Sequence, residues 1–100
     1  MKHFLLTYTL APDYLERRPA YRDAHLAYAW AAVERGEAVL GGALVPAEEA
    51  MLLFHGEDAK AAEAFAKNDP YFLNGIVTAW RVREWVTVVG AYAANPVRPQ

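Results

Sequence analysis

Two side chains in this sequence have the chemistry needed to move a proton between a small molecule and solvent. One is His25, in Arg22-Asp23-Ala24-His25; the other is Asp69, in Lys67-Asn68-Asp69-Pro70-Tyr71. Histidine is the side chain whose ordinary titration falls near neutral pH, and a carboxylate on one ring nitrogen fixes its tautomer. Pro70 cannot continue a helix and pushes Asp69 out of the α region, so the chain turns at this carboxylate and restricts it. We expect His25 and Asp69 to meet. Arg22 lies one helical turn before His25, where it could hold an anionic substrate, and Tyr71 could line a pocket beside the pair.

Each of these residues has a structural alternative. A histidine at the margin of a helix's buried face is often hydrogen-bonded and inert. Asp69 is a good N-cap for a short turn with Pro70 as its first residue and Gly75 past its end, a role worth about 1 kcal/mol. Capping and imidazole binding are compatible, because a carboxylate has lone pairs for both. Arg22 has Asp23, Asp69 and Glu34 as ion-pair partners, and an aromatic after a helix end, such as Tyr71, is commonly core. Other signals are weaker. His3 and His55 lack ligand spacing, so no metal site is predicted. Gly41-Gly42 has no following Lys-Ser/Thr and is no phosphate loop. The chain contains neither cysteine nor serine, which excludes a disulfide framework, a thiolate nucleophile and a serine hydrolase.

The elements that must carry these residues follow from periodicity. His3 to Thr9 alternates as a first strand, with Phe4, Leu6 and Tyr8 on one face. Leu10 to Arg18 reads as a loop, and Pro19 as the first-turn residue of a helix that runs to Arg35 and stops at Gly36. In that helix Leu26, Ala29, Trp30 and Val33 mark the buried face, with Arg22, His25, Ala29 and Ala32 along its edge. Glu37 to Val45 is strand-like, with Gly41-Gly42 signalling a bulge or a close approach to the backbone. A turn over Pro46 to Glu49 and a third strand over Ala50 to His55 complete a hairpin. Asp58 caps a second helix through Lys67, with Ala62, Phe65 and Ala66 inward. Thr78 to Val88 is the last strand: Trp80, Val82, Val86 and Val88 share one face, and Arg81, Arg83 and Trp85 the other. The order β-α-β-β-α-β predicts an α+β split βαβ fold, an antiparallel sheet with both helices on one face. The other sheet face then carries Leu5, Trp85 and Leu40 or Met51, too apolar to leave in water, so we expect a homodimer stacked sheet on sheet. Residues 1–89 form the domain, and residues 90–100, with two prolines and no period, an arm or disordered tail.

Composition bounds the rest. One hundred residues make one domain that buries roughly two-thirds of its unfolded surface. Three Trp and six Tyr in so short a chain favour an interface with another copy. A net charge of −2 and a pI near 5.9 argue against a nucleic-acid binder, which needs a basic face. No run approaches the ~18 apolar residues of a membrane span, and Met1-Lys2-His3 leads into a strand rather than a signal peptide. A cytoplasmic protein is expected.

From Phe4 to Val88 the chain resembles the YciI-like (YCII-related) proteins. The resemblance rests on Arg22-x-x-His25 followed by Leu26, on Gly41-Gly42 where the family often has Gly-Pro, and on Asp69-Pro70-Tyr71 with Gly75 four residues on. It implies a ferredoxin-like domain that dimerises through its sheets into an α/β barrel. It also implies a cleft in which the family's His–Asp pair, here His25 and Asp69, forms an active site. One relative is a dehydrochlorinase of a chlorinated, hydroxylated aromatic, and muconolactone-isomerase-like proteins share the dimeric barrel. The chain departs from the family at Gly42, where the proline is missing, and in its longer tail; both bear on the shape of the cleft. The chemistry expected on this basis is cofactor-free proton transfer by His25, oriented by Asp69, on a small cyclic, aromatic or enolisable substrate. Arg22, Tyr71 and Gly42 would bind that substrate. Two alternatives stand beside it: a ligand-binding or sensing module with the same cleft and no turnover, and an interaction domain whose dimer or tail docks a partner.

Overall fold

The computed structural model describes residues 1–100. Strand β1 (Lys2–Leu10) is the centre of the sheet, because its alternation buries Phe4, Leu6 and Tyr8 on one face. It pairs antiparallel with β3 (Glu49–Gly56) on one side and β4 (Val77–Trp85) on the other, and β2 (Ala38–Ala43) pairs with β3. The strand order is therefore β2-β3-β1-β4, a ferredoxin-like α+β sheet. Helices α1 (Tyr14–Glu34) and α2 (Lys60–Asn68) and the short helical turn α3 (Pro70–Leu73) cover the face that carries Leu6, Tyr8, Leu52 and Phe54. Phe65 of α2 seals that core, edge-on to Phe54 at 5.3 Å and stacked on Tyr28 of α1 at 4.6 Å. No helix is long and apolar enough to cross a membrane.

The first helix differs from its sequence reading in two ways that shape the site. It starts at Tyr14, not Pro19, so Arg17 and Arg18 are helical and not in a loop. The proline is tolerated inside the helix because tertiary contacts hold the turn before it. Tyr14 is buried, and the Arg17 guanidinium donates to the carbonyls of Asn74 and Gly75 while pairing with Asp13. Second, half of the face read as buried is open: Ala29 and Val33 pack against the core, but Leu26 is 39% exposed and Trp30 63%. The rest of the inward-packing side is Tyr21, His25, Tyr28 and Ala32, where Tyr28 also donates to the Phe65 carbonyl at 2.9 Å.

Smaller differences follow the same logic of local chemistry overruled by neighbours. The irregularity in β2 falls at Val39, between Ala38 and Leu40, two residues before the glycine pair. Gly41 is the glycine the packing requires, since a Cβ there would lie 2.8 Å from Leu52 Cγ, whereas one at Gly42 would meet nothing within 4 Å. Ala59 stands at the N-cap of α2, and Asp58 supports it by accepting from the Lys60 amide at 2.9 Å. Strand β4 ends at Trp85, so Val86 and Val88 lie beyond the sheet and are exposed. The tail folds back: Asn95 and Val97 donate to the carbonyls of Thr87 and Val88, and Thr87 Oγ1 joins His3 Nδ1 to the Ala94 amide. On the sheet face without helices, Leu5 registers with Leu53 and His3 with Trp85, while Leu40 lies opposite Leu53 at the edge.

Candidate active site

Asp69 is the most constrained polar group in the molecule. The extended backbone that Pro70 imposes on it (φ −64°, ψ 128°) ends α2 and opens α3, with Pro70 at the first helical position. Gly75 just beyond takes the positive φ of 74° that closes such a turn. The side chain is fully buried and receives three donors. Its Oδ1 accepts from the Tyr71 amide at 2.9 Å, which is the capping bond, and lies 2.8 Å from His25 Nδ1. Its Oδ2 accepts from the Tyr8 hydroxyl at 2.7 Å. A buried carboxylate is tolerable only when its lone pairs are filled in this way, and no buried side-chain polar atom in the molecule lacks a partner.

These contacts orient the imidazole. With Nδ1 donating to a carboxylate oxygen, the neutral ring carries its proton on Nδ1 and leaves the Nε2 lone pair free. Nε2 has no partner within the chain and is not among buried unsatisfied atoms, so solvent or a ligand reaches it. The ring also stacks on Tyr71, with centroids 3.9 Å apart and planes 5° from parallel. Held by a carboxylate at one edge and a phenol on one face, the ring has little freedom left.

The imidazole forms part of the wall of a cleft of about 380 Å3 between α1 and β2, floored by Tyr8, Leu10 and Leu52. Arg22, Tyr71 and Gly42 line it as well, whereas Asp69 does not: it is fully buried and reaches the cleft through its bond to His25. Arg22 forms an ion pair with none of Asp23, Asp69 or Glu34. Tyr71 does both things considered for it: it is buried, and it contributes to the cleft. Burial pushes its phenol up to about 12, helped by Tyr14 beside it and opposed by the Arg22 and Arg18 guanidiniums. Burial and the Asp69 carboxylate push the Tyr8 phenol upward too, so it stays a donor. Sequence reading missed Tyr8, which as an inner-face strand residue gives the same pattern as a core Phe. It also missed Arg18, whose guanidinium lies 5.5 Å above the Tyr14 ring and which lines the cleft. The four-residue step from Arg18 to Arg22 was the available signal, hidden by starting the helix at Pro19. No three His, Cys, Asp or Glu side chains stand together as a metal site.

Fold and cleft together define a ferredoxin-like α+β domain with a hydrogen-bonded His25–Asp69 pair whose imidazole lines a small-molecule-sized hollow. The chain belongs to the YCII-related domain family, whose model matches residues 1–86. Among solved structures, it is similar to 5-chloro-2-hydroxyhydroquinone dehydrochlorinase of Burkholderia phenoliruptrix in complex with 2,5-dihydroxybenzoquinone. That likeness has 23% identity, a TM-score of 0.70, and coverage of 85% of this chain and 94% of the other. A NIPSNAP family protein of Agrobacterium tumefaciens aligns at 10% identity and a TM-score of 0.57 over 92% of this chain and 95% of its own. An uncharacterized NIPSNAP domain protein of Burkholderia xenovorans aligns at 13% and 0.55 over 93% and 98%. At these identities the likeness is one of fold. No curated protein matches the chain.

Proposed function

We propose that this protein is a cofactor-independent enzyme of lyase or isomerase type, in which His25 transfers a proton on a small cyclic or aromatic substrate and Asp69 holds its ring. The observation that carries the reading is the free Nε2 of an imidazole fixed by Asp69 and Tyr71 on the wall of a 380 Å3 cleft. Nε2 takes a proton from a carbon or hydroxyl of the substrate, and the electron pair left behind enters the conjugated system. In an elimination that pair expels an anion such as chloride, and the proton on Nε2 passes to water. In an isomerisation Nε2–H returns the proton to another carbon. Either way the imidazolium formed in passing stays beside the Asp69 carboxylate, and acid–base catalysis of this kind contributes about 10²–10⁴-fold. The dehydrochlorinase of the same fold makes elimination from a hydroxylated ring the first chemistry to test.

Homodimerisation is part of the same proposal. Leu5, Leu53 and the half-exposed Trp85 stand on the sheet face that no helix covers, and a second copy stacked there would remove them from water. Sedimentation at micromolar protein should give a dimer; a monomer contradicts it.

The activity test pairs chloride release from chlorinated hydroxyhydroquinones with deuterium uptake from solvent into enolisable lactones and ketones. Turnover should fall by about 10²-fold or more in His25→Asn. Equal rates in the two proteins would overturn the assignment. Binding of these compounds without turnover by the unaltered protein would favour the ligand-binding module.

A further inference from the structure

The helix wall of the cleft changes character along its length. Arg18, Arg22, Leu26 and Trp30 step by four residues and therefore form one ridge of α1, with His25 beside its middle. The first half of the ridge is cationic and uncommitted. The neighbouring Arg17 is used by Asp13 and by the carbonyls of Asn74 and Gly75, but Arg18 only leans on the Tyr14 ring and Arg22 enters no hydrogen bond or ion pair. The second half is apolar and open. Leu26 and Trp30 are 39% and 63% exposed, and Val39 across the cleft is 41% exposed. Carboxylates and phenolates are what a guanidinium fork recognises, and an apolar wall left in water gains by being covered. Size adds a constraint: a cavity of roughly 150 Å3 already accepts a benzene ring, so a single ring fills less than half of the 380 Å3 here.

We propose that the cleft takes an elongated organic anion. Its oxyanion head, a carboxylate or phenolate, lies between Arg18 and Arg22, and its body, two fused rings or a ring with a short chain, lies along Leu26 and Trp30 against Val39. The inference rests on the proposed acid–base site for one point only: the atom that exchanges a proton sits next to the charged head, where His25 stands.

Calorimetric titration with three probes tests it without requiring turnover: 2-naphthoate, its uncharged analogue 2-naphthalenemethanol, and the one-ring benzoate. Naphthoate should bind about tenfold more tightly than either of the others, the worth of one charge-assisted hydrogen bond or of a second ring's burial. Replacing both arginines by methionine (R18M with R22M) should erase the preference over the alcohol and leave the preference over benzoate. Trp30→Ala should do the reverse, with Trp30→Leu intermediate. All of these side chains are at least partly exposed, and unchanged far-UV circular dichroism would show that the variants fold. In His25→Asn both preferences should persist, so loss of turnover there with selectivity intact separates failure of the catalytic reading from failure of this one. No binding at millimolar probe, equal binding of all three, or a charge preference that survives the double arginine variant would overturn the proposal.

Discussion

The two sides of the cleft are built on opposite terms. At the α2–α3 corner, Asp69 is fully buried and all its donors come from within the chain, so nothing there waits for a ligand. On the α1–β2 side, Arg22 and Trp30 face solvent and are tied to nothing. The first region fixes one ring nitrogen in space; in the second, Arg22 and Trp30 have no bonds that a substitution would break. The proposed reactivity falls on the rigid side and the proposed selectivity on the loose side, and this contrast ranks the substitutions below.

Asp69→Ala should have the largest effect. It leaves the Tyr8 hydroxyl, the Tyr71 amide and the His25 Nδ1–H without an acceptor in a buried corner, at a cost of about 3–5 kcal/mol in urea unfolding. A loss under 1 kcal/mol, on the scale of a replaced surface group, would mean that the corner is not the rigid half. Gly41→Ala should cost about 1–3 kcal/mol, because its Cβ meets Leu52 Cγ at 2.8 Å, against about 0.5 kcal/mol or less for Gly42→Ala. Equal costs would show that β2 yields freely.

Tyr8→Phe should cost about 1–2 kcal/mol, since Asp69 Oδ2 loses its donor inside the core. It should also change the alkaline limit of stability. Burial raises the Tyr8 phenol, and burial with Tyr14 raises that of Tyr71 from 10 to about 12, so the unfolded chain releases these protons first. Stability from these two groups is whole below pH 10 and falls as pH rises from 10 toward 12. In Tyr8→Phe that fall should be shallower; an identical slope would mean that its phenol ionises as freely as in the unfolded chain. Trp30→Ala should shift stability least, by about 0.5 kcal/mol or less, because the ring is mostly exposed.

What the sequence revealed divides along the same line. The Asp69 corner was legible because Pro70 acts on its immediate neighbour, and a proline's restriction of φ and of the preceding residue does not depend on the rest of the fold. The succession of strands and helices along the chain was legible from alternation and turn residues, as in Phe4, Leu6 and Tyr8. Helical spacing, by contrast, tells which residues share a side and not what they face. Leu26 and Trp30 therefore looked like core, although they border a cleft. The start of α1 was lost for a related reason: Pro19 disfavours a helix interior locally, but buried Tyr14 and the Arg17 bonds to Asn74 and Gly75 outweigh it from a distance. Tyr8 could not be told from a core phenylalanine until its partner, 61 residues away, was in place.

The most direct test of the account is the tautomer of the neutral His25 ring, read from long-range 1H–15N spectra of the protein at mildly alkaline pH. If Asp69 holds Nδ1–H, the spectrum should show a protonated Nδ1 and a bare Nε2, the form that leaves a lone pair free on a ring that lines the cleft. A ring protonated on Nε2 instead would contradict the account, because that nitrogen would then have no lone pair with which to take a proton from a substrate.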